Sequence, residues 1–313
     1  MNLVFFGTGS FGLASLEVLA SASSKHRVLA VVTAPDKPKG RHLKSAPSVI
    51  RQWAESQQIP ILELKPDNSF GSILPSLRQL NADIFVVISF GALLPKSILD
   101  LPKAGSFNVH SSLLPRYRGA APIRWAILNR DSKTGVTVIR MTERLDAGDI
   151  LLQKETDIGP EEDAVALENR LSGLGAKALL ESLDLLEKKK ALFIPQDESK
   201  ASTARKITKE DGHIVWKKSP QSVTAQIRAM AGWPNAFSFH QGKRILVLEA
   251  RPTHEISTSK PGVVAVSSIQ GGIQITALGG SVELIRLKLE SKKALPAAEF
   301  LKGYPLKKGD ILE

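Results

Sequence analysis

FNVHSSLLPRYRG, Phe107 to Gly119, opens as a strand with two unlike faces and ends in a polar turn. Side chains two apart on a strand share a face, about 6.6 Å from one another along it. From Gly105 onward, the alternation sets Phe107 and Val109 on one side and Asn108 and His110 on the other. Ser111 and Ser112 close the strand. An amide and an imidazole at the end of an α/β strand make a small polar site. The amide can donate to an oxygen that gains negative charge, and the imidazole can do the same or move a proton.

The second half of that site is expected about three dozen residues later. Residues 135–141 read as a strand, followed by Thr142-Glu143-Arg144-Leu145-Asp146-Ala147-Gly148-Asp149 and a further strand at 150–152. Asp146 falls in a tight, Gly-containing turn. A carboxylate brought beside an imidazole stabilises its charged form.

These residues resemble the folate-dependent formyltransferases. That family's signature is Asn-x-His, then Ser-Leu-Leu-Pro, then an Asp in a Leu-Asp-x-Gly-Asp turn. Here it stands as Asn108-Val109-His110, Ser112-Leu113-Leu114-Pro115 and Leu145-Asp146-Ala147-Gly148-Asp149. The run Arg118-Gly119-Ala120-Ala121-Pro122-Ile123 is similar to that of the branch acting on methionyl-tRNA. The resemblance extends over essentially all 313 residues.

The resemblance implies a Rossmann-like, mostly parallel α/β sheet with helices on both faces, then a small C-terminal OB-like β-barrel. It implies a transferase that moves the formyl group of 10-formyltetrahydrofolate to the α-amine of methionine on initiator tRNA. Asn108 and His110 would hold the oxyanion. Asp146 would set the charge state of His110 and accept or relay the amine proton. Ser112, Leu113, Leu114 and Pro115, with Phe90 and Leu93, would form the folate pocket, and the backbone around 141–146 could bond the pterin. Other folate-dependent formyltransferases and hydrolases share the first domain and are the near alternative.

Composition bounds the rest. The length suggests two domains or one large one. No stretch approaches 18 consecutive apolar residues, so no membrane span is expected. MNLVFFGTGSFG lacks a basic leader and reads as a first core strand. There is no cysteine, which excludes disulfides, thiol nucleophiles and Cys-zinc sites. The six His show no ligand spacing, so no metal is expected. The chain suits a cytoplasmic setting. Nothing demands a dimer, and a monomer is expected.

The net charge of +11 is uneven. Residues 1–189 hold 23 Lys+Arg against 20 Asp+Glu, while 190–313 hold 19 against 11. A basic C-terminal part behind a near-neutral enzyme part points to a polyanionic partner. A non-catalytic RNA-binding module would explain that charge, but it leaves Asn108, His110 and Asp146 without a reason.

Along 1–189, strands alternate with helices: strands at 3–6, 28–33, 59–62 and 84–89, helices at 11–22, 46–57, 72–80, 95–100 and 122–129, and a long helix from about 163 to 189. Repeated β-α-β units predict a parallel sheet. Residues 190–207, polar and Pro-containing, read as a linker. From 208 to 313 the pattern becomes short strands with Gly turns: 213–216, a helix opened by Ser219-Pro220, then 236–240, 244–250, 262–266, 273–277 and 282–289. This second part is expected to bind tRNA.

Gly7-Thr8-Gly9-Ser10-Phe11-Gly12 offers a competing reading, a GxGxxG between strand and helix with Asp36 downstream, as in NAD(P)-dependent oxidoreductases. A tight strand-to-helix turn needs such glycines in any fold of this class, and Asp36 opens a basic loop, a poor place for a ribose acid. No NAD is therefore expected. That loop, Pro35 to Lys44, carries Lys37, Lys39, Arg41 and Lys44. The tRNA formyltransferases have a basic insertion here with a Pro-x-Gly-Arg core, matched by Lys39-Gly40-Arg41. The resemblance makes these four cations candidate tRNA contacts. Arg41 leads them, because a guanidinium pairs bidentately with phosphate and stacks on bases.

Overall fold

Ile84-Phe85-Val86-Val87-Ile88 is apolar at every position, the pattern of a strand covered on both faces. It is the fully buried centre of a seven-stranded sheet. The computed structural model describes residues 1–35, 37–39, 44–67, 69–253 and 260–313, with backbone alone at 37–39 and 44–45. Two compact units are built from the chain. The first comprises Met1–Pro122, Lys133–Asp157 and Glu168–Ala204, and the second Ile123–Ser132, Ile158–Leu167 and Arg205–Glu313.

In chain order the first stretch holds β1 (Asn2–Gly7), α1 (Leu13–Ala20), β2 (Arg27–Thr33), β3 (Lys37–Lys39), β4 (Lys44–Ala46), α2 (Val49–Ser56), β5 (Ile61–Glu63), α3 (Leu74–Gln79), β6 (Ile84–Ile88) and α4 (Lys96–Leu99). Then come β7 (Ser106–His110), β8 (Arg118–Gly119), α5 (Pro122–Leu128), β9 (Lys133–Arg140), β10 (Ile150–Asp157), α6 (Ala164–Glu187) and β11 (Thr203–Ala204).

The sheet of the first unit runs β10-β9-β7-β6-β1-β2-β5. All pairings from β7 to β5 are parallel, whereas β9 is antiparallel to β7 and β10 antiparallel to β9. The mostly parallel architecture is present, with one departure from the repeated β-α-β reading at this edge. The connection 141–149 is too short for the crossover of a dozen or more residues that a parallel pair needs, so β10 must fold straight back. The exposed alternate positions of β10 fit an edge strand.

The basic stretch read as a loop is part of a ribbon. Lys37 pairs with Ala46, Pro38 with Ser45 and Lys39 with Lys44, antiparallel. Asp36, Gly40, Arg41, His42 and Leu43 lie outside the described residues. The stretch expected as a linker also behaves differently. Residues 190–204 belong to the first unit. Ile194 bridges Ile150, and Thr203 and Ala204 pair with Arg118 and Gly119. Polar side chains that look like solvated loop in the sequence are here bonded to neighbouring turns.

In the second unit, α7 (Pro220–Ala229) starts at Ser219, whose hydroxyl accepts from the Ser222 amide, with Pro in the first turn as expected. The strands β12 (Ala236–His240), β13 (Lys243–Thr253), β14 (Val264–Ser268), β15 (Gly272–Ala277) and β16 (Gly280–Leu289) pair antiparallel in the order β12-β13-β16-β15-β14. Two short elements went unread in the sequence, β17 (Leu295–Pro296) against β16 and α8 (Ala297–Gly303). Residues 213–216 are not a strand. Only His213 bridges Phe237, and the chain then turns toward the cap of α7. The open edges β14 and β12 are both met by the chain's last residues. Asp310 accepts from the Val264 amide, and Glu313 exchanges both backbone bonds with Phe239. Such bonding satisfies edges that would otherwise be free to pair with other chains.

Arg205 opens this unit and clamps Asp211 through two bonds, 2.8 and 2.6 Å. The guanidinium hydrogen-bonded to it lowers the Asp211 carboxyl to about 2. A depressed carboxylate stabilises the fold above its unfolded value and stops doing so as pH falls through its folded value. The Asp211 contribution is thus expected to be intact above pH ~4 and lost on acidification through about 2. Carbon NMR of the carboxyl should show this low midpoint, and Arg205→Ala should move it upward. An unchanged midpoint would remove Arg205 as the cause.

Candidate active site

β7 is the last parallel strand, flanked by β6 and by antiparallel β9. Its alternation holds: Phe107 and Val109 are buried, and Asn108 lies opposite Ile139 and His110 opposite Thr137. The two polar side chains therefore leave the sheet on one face, two positions apart.

The turn after β9 brings Asp146 to them. Asp146 takes a left-handed backbone conformation (φ 50°), a region where Asp is enriched among non-glycine residues. Two residues on, a side chain at Gly148 would collide with the Arg140 carbonyl, so the turn closes only with glycine there. The Asp146 carboxylate is shared three ways. Oδ1 accepts from the Asn108 amide at 3.3 Å. Oδ2 accepts from the Gly119 backbone N–H at 2.8 Å and faces His110 Nδ1 at 3.6 Å. His110 Nε2 lies 2.9 Å from the Tyr117 carbonyl, which can only accept, so this nitrogen carries a proton. Both ring nitrogens thus face acceptors. The side chains of His110 and Asp146 are 7% and 8% exposed, a setting in which the carboxylate and ring interact with little screening. Asn108 keeps one amide hydrogen beyond its bond to Asp146.

The Ser112–Pro115 segment is anchored by Thr137, which in the sequence is indistinguishable from an ordinary strand residue. Its hydroxyl donates to the Ser112 carbonyl (2.6 Å) and accepts from the Leu114 amide (3.1 Å). Gln153 on β10 adds donors to the Leu114 carbonyl and to Thr137. The one signal for Gln153 was a polar residue after Leu151-Leu152 on a strand. Ser112 itself is buried and donates to the Arg116 carbonyl, and Leu114 is buried, so both shape the turn from inside.

A narrow cleft opens beside Asn108 and Asp146. It is lined by Leu93, Leu94, Ile139 and Met141 together with Thr142, Glu143, Arg144 and Leu145. Leu93 and Leu145 are 69% and 56% exposed, so two leucines stand at a wet rim. Bare leucines beside polar groups suit the flat face of a heteroaromatic ligand. Of the expected pocket residues, Leu93 lines this cleft. Phe90 does not. It is 4% exposed and packs edge-on against Phe6, 5.4 Å between centroids, inside the core cluster. Ser112, Leu113, Leu114 and Pro115 are not among the cleft's lining residues either. The candidate tRNA contacts Lys37, Lys39 and Lys44 sit on β3 and β4, and Arg41 lies outside the described residues.

The Gly7–Gly12 turn is filled by its own protein. The Thr8 and Gly9 amides both donate to the Ser89 carbonyl, at 3.2 and 3.1 Å. A side chain at Gly9 would meet the Ser89 Cβ. Amides that a pyrophosphate would need are already used, and the glycines let two strands' ends approach.

Residues 1–183 match the formyl transferase family, and 206–305 match its C-terminal domain. The chain belongs to the formyl transferase family. The methionyl-tRNA formyltransferase of Geotalea daltonii is 41% identical over 99% of this chain and 97% of its own length. That of Citrifermentans bemidjiense is 42% identical over 100% and 96%. Among solved structures, the sugar 3N-formyl transferase WlaRD, determined with dTDP and 5-N-formyl-THF, shares the fold at TM-score 0.66 and 18% identity, covering 94% of this chain and 99% of that one. HypX from Aquifex aeolicus with tetrahydrofolic acid matches at TM-score 0.62 and 17% identity over 100% and 50%. The family explains the mostly parallel sheet followed by an antiparallel β domain. Among the described residues, no group of His, Asp and Glu could hold a metal and no helix is long and apolar enough to cross a membrane.

Proposed function

We propose that this chain transfers the formyl group of 10-formyltetrahydrofolate to the α-amine of methionine esterified to initiator tRNA. The observation that carries this reading is the Asp146 carboxylate held between the Asn108 amide, the Gly119 N–H and the His110 ring, at the edge of the leucine-rimmed cleft. Relatives of the same length and about two-fifths identity bearing that activity support it.

The chemistry asks three things of the site. The amine must attack neutral, a tetrahedral oxyanion must be held, and the folate nitrogen must leave with a proton. The remaining Asn108 amide hydrogen is a donor for the oxyanion. His110 supplies a second N–H to that oxygen when its ring turns from Asp146 or from the Tyr117 carbonyl. Asp146 accepts the amine proton, directly or through a water, and returns it by the same route to the departing folate nitrogen, keeping the imidazole oriented meanwhile. The cleft walls Leu93, Leu94, Ile139 and Met141 take the pterin, and the backbone of 141–146 bonds its edge. Phe90 supports this cleft only from the core behind it.

Capture of tRNA falls to two basic regions. One is the basic stretch with Lys37, Lys39, Arg41 and Lys44, and the other is the C-terminal part, residues 208–313. The protein works as a cytoplasmic monomer in this reading, with no metal or NAD. The test is incubation with 10-formyltetrahydrofolate and charged initiator tRNA, with and without a chelator, followed by assay of N-formylmethionine. Formylation of a free sugar amine in its place would give the site to another acceptor. Activity lost on chelation and restored by zinc or iron would defeat the metal-free chemistry.

A further inference from the structure

We propose that Gln196 is a positioning residue for Asp146, reaching the catalytic turn from a segment whose sequence reads as a passive linker; the proposal rests on the functional reading above. The Asp146 turn belongs to no strand or helix and holds a non-glycine residue at positive φ. Such a conformation persists only where the surroundings over-determine it. One side-chain amide supplies much of that determination. Gln196 Nε2 donates to the carbonyls of Asp146 (2.8 Å) and Gly148 (2.7 Å), stapling the turn across its tip. Its Oε1 accepts from Arg118 Nε (3.0 Å) and Nη2 (2.7 Å). With carbonyls on one side and a guanidinium on the other, only this orientation of the amide is chemically consistent.

Arg118 is itself fixed. It makes a two-bond pair with Glu198, whose carboxyl it holds below the ordinary range, and Arg144 joins the same carboxylate. Next to Arg118, the Gly119 N–H bonds the Asp146 carboxylate. Gly119 sits there because Arg118 and Gly119 pair with Thr203 and Ala204. The segment 196–204 therefore controls Asp146 twice: its backbone through Gln196, and its carboxylate through the strand partner of Gly119. Gln196 touches no reacting atom, so its part is placement. Displacing a reacting group by ~1 Å can cost about 10²-fold in rate.

The experiment compares full-length parent, Gln196→Ala and Gln196→Glu. The Glu variant keeps an acceptor for Arg118 but sets a carboxylate against two carbonyls. Both variants are expected to lose roughly 10- to 100-fold in kcat, with the KM for methionyl-tRNA within about twofold of parent. Melting temperatures should stay within about 3 °C, since the residue is only half-buried. The His110 ring resonances should shift in both variants, because its carboxylate neighbour has moved. Either of two results overturns the role: kcat within about twofold of parent, or activity lost only together with a collapsed melting temperature. Parent-like His110 resonances in Gln196→Ala overturn it whatever the activity. A parent that formylates no methionyl-tRNA instead overturns the functional reading, and the two failures remain separable.

Discussion

Asp146→Asn is expected to lower kcat by roughly 10²-fold or more while leaving the fold in place, and Asn108→Ala and His110→Ala by about as much, one oxyanion donor being typically worth ~3 kcal/mol. The amide in Asp146→Asn can still accept from Gly119 and keep the turn, so its defect isolates the negative charge. It removes the proton acceptor, and its NH2 can present hydrogens to groups that are themselves donors. Asn108→Ala removes a hydrogen aimed at the oxyanion and also a bond to Oδ1. His110→Ala empties a buried volume beside Tyr117 and should cost some stability besides the rate. Because the three side chains share one carboxylate, their losses should not add, and the double variant Asn108→Ala/Asp146→Asn should fall little below the worse single. Steady-state kinetics with saturating formyl donor and charged tRNA, alongside thermal melts, provide the measurement. If all three single variants stay within a factor of about five of parent, the site is misassigned.

What the sequence discloses here follows from which forces are local. The Asn108 and His110 face was legible because strand alternation depends only on neighbours, and 84–88 because a five-residue apolar run fits few other places. The turn at Asp146 was legible from Gly148, whose lack of a side chain is a local demand. Thr137 and Gln196 were not. Each acts through hydrogen bonds to backbone carbonyls distant in sequence, Thr137 to Ser112 and Gln196 to Asp146, and a lone Thr or Gln carries no mark of its partner. Phe90, placed at the folate pocket by resemblance alone, is enclosed by Phe6 and Phe70. Leu93, three residues on, has no such neighbours and stands at the rim. The second unit's order was less legible for the same reason, since its closing contacts join the chain's last residues to strands far earlier.

Replacing Lys37, Lys39, Arg41 and Lys44 together by Ala is expected to weaken binding of methionyl-tRNA by up to ~10³-fold near 0.1 M salt, because each phosphate neutralised contributes roughly 0.7 to 0.9 to the log–log salt slope. Extrapolated toward 1 M salt, where that contribution vanishes, parent and variant should converge. The slope itself should flatten by about 3. Binding of the formyl donor should be unchanged, since the described lining of the cleft beside Asn108 comes from residues between 93 and 146. A ribbon with an antiparallel stem is a suitable carrier for such charges: β3 and β4 fix the base by backbone pairing, which alanine substitution leaves in place. Arg41→Ala alone separates capture from placement. A residue that only adds charge should change KM and one unit of slope, whereas one that orients the acceptor end should also lower kcat, by as much as about 10²-fold for a displacement of ~1 Å. The C-terminal part, whose residues 208–313 hold 15 basic against 9 acidic residues, should account for the salt dependence that survives in the fourfold variant. Parent-like affinity and slope in the fourfold variant at two salt concentrations would make this ribbon solvated surface and leave the C-terminal part alone to hold the tRNA.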